Sequence, residues 1–235
     1  MPADRNDLTI YNTVADAWWT DDVRWIRTLK NMVPGRLAYF DRMMDWSDSA
    51  VLDLGCAGGF MAEALDDRGA HVCGIDPADR AIAAAQAHAA LAGREIDYRT
   101  GVGEDLPYDD ARFDAVVCVD VLEHVESLPD VLSEVHRVLK PGGRFFFDTI
   151  NRSLLARLAT ITVAEDILRL LPKGTHDPAL FIRPAELSAA LIVAGFDVGP
   201  MTGLGPRGLT RRGDFTFGRL PSTAIIYMGS ASKPA

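Results

Sequence analysis

The 235 residues hold 24 Lys and Arg against 33 Asp and Glu, a formal charge of −9, with 48% hydrophobic and 24% charged residues. The length is enough for one α/β domain of ordinary size and the composition is typical of a soluble globular protein, and the acidic balance argues against a general nucleic-acid binder, which needs a basic surface. No apolar run approaches the roughly 18 residues of a membrane span, and the polar N-terminus does not read as a signal peptide.

Residues 1–9 are polar and expected to fray. Tyr11, Val14, Ala15, Trp18 and Trp19 follow the i, i+3, i+4 stripe of a helix over residues 11–25. Trp18 and Trp19 either pack that helix on the domain or lid a pocket and face a flat substrate. Arg36, after Pro34-Gly35, opens a second predicted helix through Leu37, Phe40, Met43 and Met44. Strand and helix then alternate: strand 50–54, helix 60–68, strand 71–75, helix 78–92 stopped by Gly93, strand 96–100, strand 113–119, helix 127–139 and strand 144–149. Such alternation predicts a parallel, doubly wound sheet with ligands at the carboxyl ends of its strands. Residues 152–175 read as an apolar helical insertion that carries Arg152, Arg157, Arg169 and Lys173. A helix from Phe181 to Ala194, a strand at 196–198, a Gly- and Arg-rich loop over the pocket at 201–221 and an edge strand at 223–228 complete the pattern, with a disordered tail from Gly229. Cys56, Cys73 and Cys118 fall in these strands or the turn after one, show no zinc spacing, and read as free thiols of a reducing cytoplasm.

The chain is organised around Val51-Leu52-Asp53-Leu54-Gly55-Cys56-Ala57-Gly58-Gly59, a strand, a glycine turn and, from Phe60, a helix start. Missing Cβ atoms let backbone approach a nucleotide-like ligand, and free N–H groups face it. Asp76, 21 residues after Gly55, ends the second strand, where a carboxylate can accept both hydroxyls of a ribose. The dinucleotide pattern G-x-G-x-x-G fails here, because Ala57 and Phe60 hold its second and third glycine positions. No G-K-S/T follows, so a P-loop is excluded.

Asp53-Leu54-Gly55-Cys56-Ala57-Gly58-Gly59 instead resembles motif I of class I S-adenosylmethionine (SAM) methyltransferases, with Ala57 a mild departure. Further strings are more specific: Trp18-Trp19, Arg36-Leu37, Asp120-Val121-Leu122-Glu123-His124-Val125, Ala164-Glu165-Asp166-Ile167-Leu168-Arg169, and above all Leu171-Pro172-Lys173-Gly174-Thr175-His176-Asp177 with Phe181-Ile182-Arg183-Pro184. Together they resemble the ubiquinone O-methyltransferase family over about residues 8–210, and the likeness fades after Thr210. The resemblance implies a single Rossmann-like α/β domain on a doubly wound, seven-stranded sheet. Its parts are an N-terminal helical lid (1–45), a cofactor-binding core (46–150), a helical insertion (151–182) and the rest of the sheet (183–235). It implies SAM-dependent O-methylation of a phenolic or catecholic, prenylated small molecule. A different small-molecule acceptor, or a non-catalytic or membrane-associated scaffold, are the other readings of the same scaffold.

Carried over residue by residue, the family implies that Arg36 meets the methionine carboxylate, Gly55 gives backbone contact nearby, Asp76 holds the ribose and Val119 lines the pocket. Glu104 and Asp105 follow strand three, where an acid either reaches the adenine amine or is a solvated loop carboxylate. The family also implies a divalent cation, magnesium or similar, on Asp120, Glu123 and His124, which would then be the catalytic end of the site. The same residue types also occur there without metal, as loop and helix-start residues. Because a polyprenyl substrate lives in lipid, the insertion at 152–175 is expected either to lie on a membrane surface or merely to cover the sheet.

Overall fold

The computed structural model describes residues 9–167 and 172–235. The expectations for residues 1–8, and for Leu168, Arg169, Leu170 and Leu171 of the insertion, lie outside the described residues.

A short helix α1 (Thr9–Thr13) and one 3-10 turn (Ala15–Ala17) lead to a long helix α2 (Arg24–Phe40). The single helix expected over 11–25 is interrupted first at Val14, with φ −111° and ψ 8°, and again ahead of α2, where Asp21 takes a left-handed φ of 58° and the Thr20 hydroxyl accepts the Asp22 N–H. The second helix does not begin at Arg36. It starts twelve residues earlier and passes through Pro34, while Met43 and Met44 lie beyond its end. A proline inside a helix costs about 3 kcal/mol. Burial of Ile26, Met32, Val33, Leu37 and Phe40 on one side of α2 offsets that cost.

The core alternates as expected: β1 (Ala50–Leu54), α3 (Phe60–Asp66), β2 (His71–Asp76), α4 (Asp79–Ala92), β3 (Asp97–Thr100), β4 (Phe113–Cys118), α5 (Leu128–Val138) and β5 (Leu139–Ile150). After β5 come α6 (Leu154–Arg157), which runs on as a π-helical stretch (Leu158–Ile167), then α7 (Pro184–Val193) and β6 (Asp197–Val198). The chain ends with β7 (Thr202–Leu209), β8 (Phe215–Leu220) and β9 (Ile226–Ser232). The sheet order is β3-β2-β1-β4-β5-β9-β7-β8, with β6 on β9. Strands β1 to β5 are parallel, and the later pairings are antiparallel.

Successive residues of the central strands enter opposite layers, as the two-residue period of a strand requires. Val51, Val117 and Phe146 pack with α2, α3 and α4. Leu52, Val116, Phe145 and Phe147 pack with α5 and α7. The register aligns Leu54 with Ile75 and with Cys118, so the residues that follow these strands emerge along one edge.

Among the described residues the sheet holds nine strands where seven were expected. The segment 201–221 is a hairpin, not a loop. Its glycines serve close approach: a Cβ at Gly203 would lie 1.9 Å from the Ser222 carbonyl oxygen, and one at Gly205 2.4 Å from Leu220. The last strand is not an edge, because β9 lies between β5 and β7. Nor is the tail from Gly229 disordered: Gly229 pairs with Phe147, and the Lys233 ammonium donates to the His136 and Leu139 carbonyls. Cys56, Cys73 and Cys118 are free and buried.

Candidate active site

The aligned strand ends open into a cavity of about 630 Å³, lined by the glycine turn, by Asp76, by Gly101 to Glu104, by Val119 to Val121 and by the N-terminal helices. Gly55 has φ +78°, and a Cβ there would stand 2.1 Å from Val121 Cγ2. Its N–H donates to the Ile75 carbonyl at 2.8 Å. Gly59 caps α3 with φ 94°.

Asp76 is buried and braces the turn: Oδ2 accepts the Ala57 N–H at 2.9 Å and Oδ1 the Ala78 N–H at 2.8 Å. Burial raises its pKa, against the pull of these two amides. Asp53, in the motif itself, lines the same cavity with Oδ2 buried and unpartnered. Burial pushes its carboxyl up to about 7, although the Ala62 amide holds it down. Val119 lines the cavity at the end of β4. Glu104 also lines it, but Oε1 is engaged with the amides of Glu126 and Ser127 ahead of α5.

The N-terminal segment covers the turn. Trp18 is 2% exposed, stacks on Phe60 with ring centroids 5.3 Å apart and sits over Gly58, where a Cβ would meet the indole at 2.2 Å. Trp19 donates its indole N–H to the Gly58 carbonyl at 3.0 Å. Trp18 packs on the core and also lines the cavity.

Arg36 projects from α2 into the same cavity and is 2% exposed. Its Nε donates to Asp148 and its Nη2 to Asp120. The two carboxylates keep the guanidinium charged despite its burial. Asp120 itself has a left-handed φ of 55° and is held by its N–H, which donates to Asp148 Oδ1 at 2.8 Å.

The trio expected around a cation is therefore rearranged. Among the described residues, Glu123 and His124 gather with His176, one ligand atom from each lying within 4.8 Å of the others. Asp120 stands outside that cluster, on Arg36. Glu123 is 2% exposed; the Thr149 hydroxyl donates to Oε2 at 2.7 Å, while Oε1 is buried without a partner. Burial and nearby Asp120 push its carboxyl up to about 8. Burial, with His176 beside it, pushes the His124 imidazole down to about 3. The cluster gains its third member through Glu165, whose carboxylate accepts the N–H groups of Gly174 and His176 and contacts His176 Nδ1 at 3.0 Å. Sequence reasoning gave no chemistry to Glu165, His176 or Asp148. The signal for the first two was their place in the most specific family strings.

A family described as "Methyltransferase domain" matches residues 52–147. The ubiquinone biosynthesis O-methyltransferase of Pseudomonas syringae pv. tomato is 40% identical over 209 residues, 88% of this chain and 90% of that protein. That of Chromobacterium violaceum is 38% identical over 226 residues, 96% of this chain and 95% of its own length. The chain belongs to the ubiquinone biosynthesis O-methyltransferase family. It is a SAM-dependent O-methyltransferase. Solved structures agree on the fold. A SAM-dependent methyltransferase of Thermotoga maritima, titled a possible histamine N-methyltransferase, has a TM-score of 0.66 at 18% identity and covers 95% of this chain and 98% of that one. A SAM-dependent methyltransferase of Aquifex aeolicus has a TM-score of 0.62 at 16% identity, over 88% and 96%. The expected class I SAM methyltransferase fold is thereby borne out. Among the described residues no helix is long and apolar enough to cross a membrane.

Proposed function

We propose that the enzyme transfers the SAM methyl group to a phenolic or catecholic hydroxyl of a prenylated ring. The observation that carries this is the lining of the cavity. The glycine turn with Asp76 and the group Asp120, Val121 and His124 line one cavity, and relatives named ubiquinone biosynthesis O-methyltransferase support a prenylated ring as the acceptor.

SAM supplies a methyl group on a sulfonium, already electrophilic. The protein's task is alignment of donor and acceptor, which can contribute several kcal/mol to the barrier. Asp76 would take the ribose hydroxyls while its amide contacts hold the turn still. The methionine end is a zwitterion. The Arg36–Asp120 pair offers a cation and an anion side by side, so a zwitterion inserted there exchanges one set of opposite charges for another. Trp18 and Gly58 would close the donor side against water.

The acceptor proton must leave during attack, and a phenol has a pKa of about 10. A divalent cation bound at Glu123 and His124 would lower that pKa and orient the oxygen. The donor set fits such an ion, because Glu123 Oε1 is a buried carboxylate oxygen with no protein partner. Without charge compensation burial keeps Glu123 protonated toward neutral pH. The insertion offers Leu154, Leu155 and Leu158 to solvent, 87%, 51% and 53% exposed. We read them as the contact with the lipid in which a prenylated acceptor resides. They do not cover the sheet. Transfer of labelled methyl from SAM to a panel of catechols, simple phenols and non-phenolic acceptors tests the reading. Labelling confined to non-phenolic acceptors sinks it.

A further inference from the structure

The ubiquinone-type reading leaves open which side chains hold the cation. We propose that the site is Glu123, His124 and His176, with Glu165 as the positioning residue behind His176, and that this set selects a transition metal over magnesium.

Three observations carry this. The ligand atoms of Glu123, His124 and His176 lie within 4.8 Å of one another, and the two imidazole rings are 5.3 Å apart. Glu123 is 2% exposed, and its Oε1 has no protein partner, while Oε2 is fixed by Thr149. A buried carboxylate oxygen left in that state costs free energy unless something binds it. Finally, His176 is built to serve as a ligand. Its Nδ1 meets Glu165 Oε1 at 3.0 Å, which makes Nε2 the nitrogen for a metal. A carboxylate behind a ligating imidazole fixes its tautomer and raises its basicity.

Glu165 is itself 2% exposed and has both oxygens committed to one turn, to the N–H of Gly174 and the N–H and ring of His176. Gly174 has φ 88°, and the Thr175 hydroxyl donates to the Pro172 carbonyl at 2.8 Å. The π-helical stretch thus presents a buried acid, Glu165, that ties a histidine of the insertion in place. Asp120 is excluded from the set by its ion pair with Arg36.

The donor chemistry then chooses the ion. Magnesium demands oxygen ligands and keeps its waters. Two imidazoles and one carboxylate are the donors of catalytic zinc sites and suit manganese, iron or cobalt as well. One consequence is that residues of the insertion would be tied to the acceptor end of the cavity by the metal.

This inference rests on the cation of the proposed function, and its test uses cobalt(II) alone, without acceptor. Chelator-treated full-length protein is titrated with cobalt(II) and followed by visible absorption. The parent takes up one equivalent. His176→Gln should bind at least about 100-fold more weakly and Glu165→Gln about 10–100-fold more weakly, while Asp120→Asn keeps the parental affinity. His176→Cys should give a thiolate-to-cobalt charge-transfer band that the parent lacks, since Cys56, Cys73 and Cys118 lie outside the cluster. Circular dichroism of the metal-free variants identifies any that fail to fold, and the Cys variant then stands in for Gln. Loss of the ion in Asp120→Asn with its retention in His176→Gln overturns the assignment. So does cobalt binding by a folded His176→Cys without the band, and so does no uptake by the parent. Absent methyl transfer to catechols beside an intact cobalt site would instead sink the acceptor reading alone.

Discussion

Arg36 and Asp148, 112 positions apart in the chain, share a buried ion pair beside the cavity that Arg36 lines. The same guanidinium holds Asp120, and Asp148 in turn accepts the Asp120 amide. Removing the cation strands a carboxylate that is 0% exposed. Breaking such a pair costs about 3–5 kcal/mol, so Arg36→Met should unfold at markedly lower urea. Burial already raises the Asp148 pKa, and the variant loses the opposing pull of Arg36. The folded variant would then hold a proton that the unfolded chain releases above pH ~4. Its stability should therefore recover as pH falls from 8 to 5. An equal deficit at both pH values would count against the buried pair.

Asp53 gives the second pH prediction. Its carboxyl is pushed up to about 7 in the fold. An acid with a raised folded pKa binds a proton more tightly when folded, so stability is greatest below the unfolded pKa and falls as pH rises toward 7. Raising a carboxyl that far from its ordinary value is worth ~4 kcal/mol at most. Asp53→Asn keeps an acceptor for the Ala62 amide but cannot titrate. Its thermal stability should fall less steeply than the parent's from about pH 4 to 7, the slope that remains coming from the other raised carboxyls, Glu123, Asp76 and Asp148. Parallel curves for the two proteins would refute the raised carboxyl.

These two residues mark how far the sequence could be read. Strand β1, the turn at Gly55 and the acid at Asp76 are local features, so spacing alone places them within one cavity. Arg36 could be named only by resemblance, and nothing local to it announces Asp148. His176 is likewise a ligand candidate only through Glu165, a side chain on another element. The hairpin β7–β8 was misread for a different reason. Glycine clusters signal loops, but Gly203 and Gly205 are there because a neighbouring strand leaves no room for a Cβ. The continuation of β9 past Met228 escaped because small residues such as Gly229, Ser230 and Ala231 look like a tail, although Gly229 is what lets Phe147 and Met201 close in.

Gly58 tests the N-terminal lid. A Cβ there would fall 2.2 Å from the Trp18 indole, so Gly58→Ala must move that ring. Trp18 is stacked on Phe60 and lines the cavity. The expected result is weaker binding of SAM by calorimetry, on the order of 10-fold (about 1.4 kcal/mol), together with altered tryptophan emission. Undiminished affinity would mean that the tryptophan only packs on the core.

The exposed leucines predict lipid contact. Leu154, Leu155 and Leu158 face solvent, so replacing them with serine costs the fold little. Burying each in a bilayer interface would be worth roughly 1.5–3 kcal/mol at most. The triple variant should keep its melting temperature and its turnover of a short water-soluble catechol, yet sediment far less with anionic liposomes. Equal sedimentation of variant and parent would remove the insertion from the lipid surface.

Glu123 separates chemistry from architecture. It is buried beneath the cavity end, takes one hydrogen bond from Thr149 and leaves the other oxygen unpartnered. Glu123→Gln keeps the shape and still accepts from Thr149 through its amide oxygen. It also removes a carboxyl whose ionisation the site opposes up to about pH 8. If Glu123 were only a structural residue, this substitution would leave turnover near parental and shift stability slightly. If it holds a cation against the acceptor oxygen, turnover should fall by roughly 10²-fold or more, the scale on which acid–base and metal-assisted contributions act. Binding of SAM, at the other end of the cavity, should be unchanged. Chelator should reproduce the defect in the parent protein and add nothing in the variant. That non-additivity is the decisive measurement, since a variant damaged in folding would lose further activity when the ion is stripped.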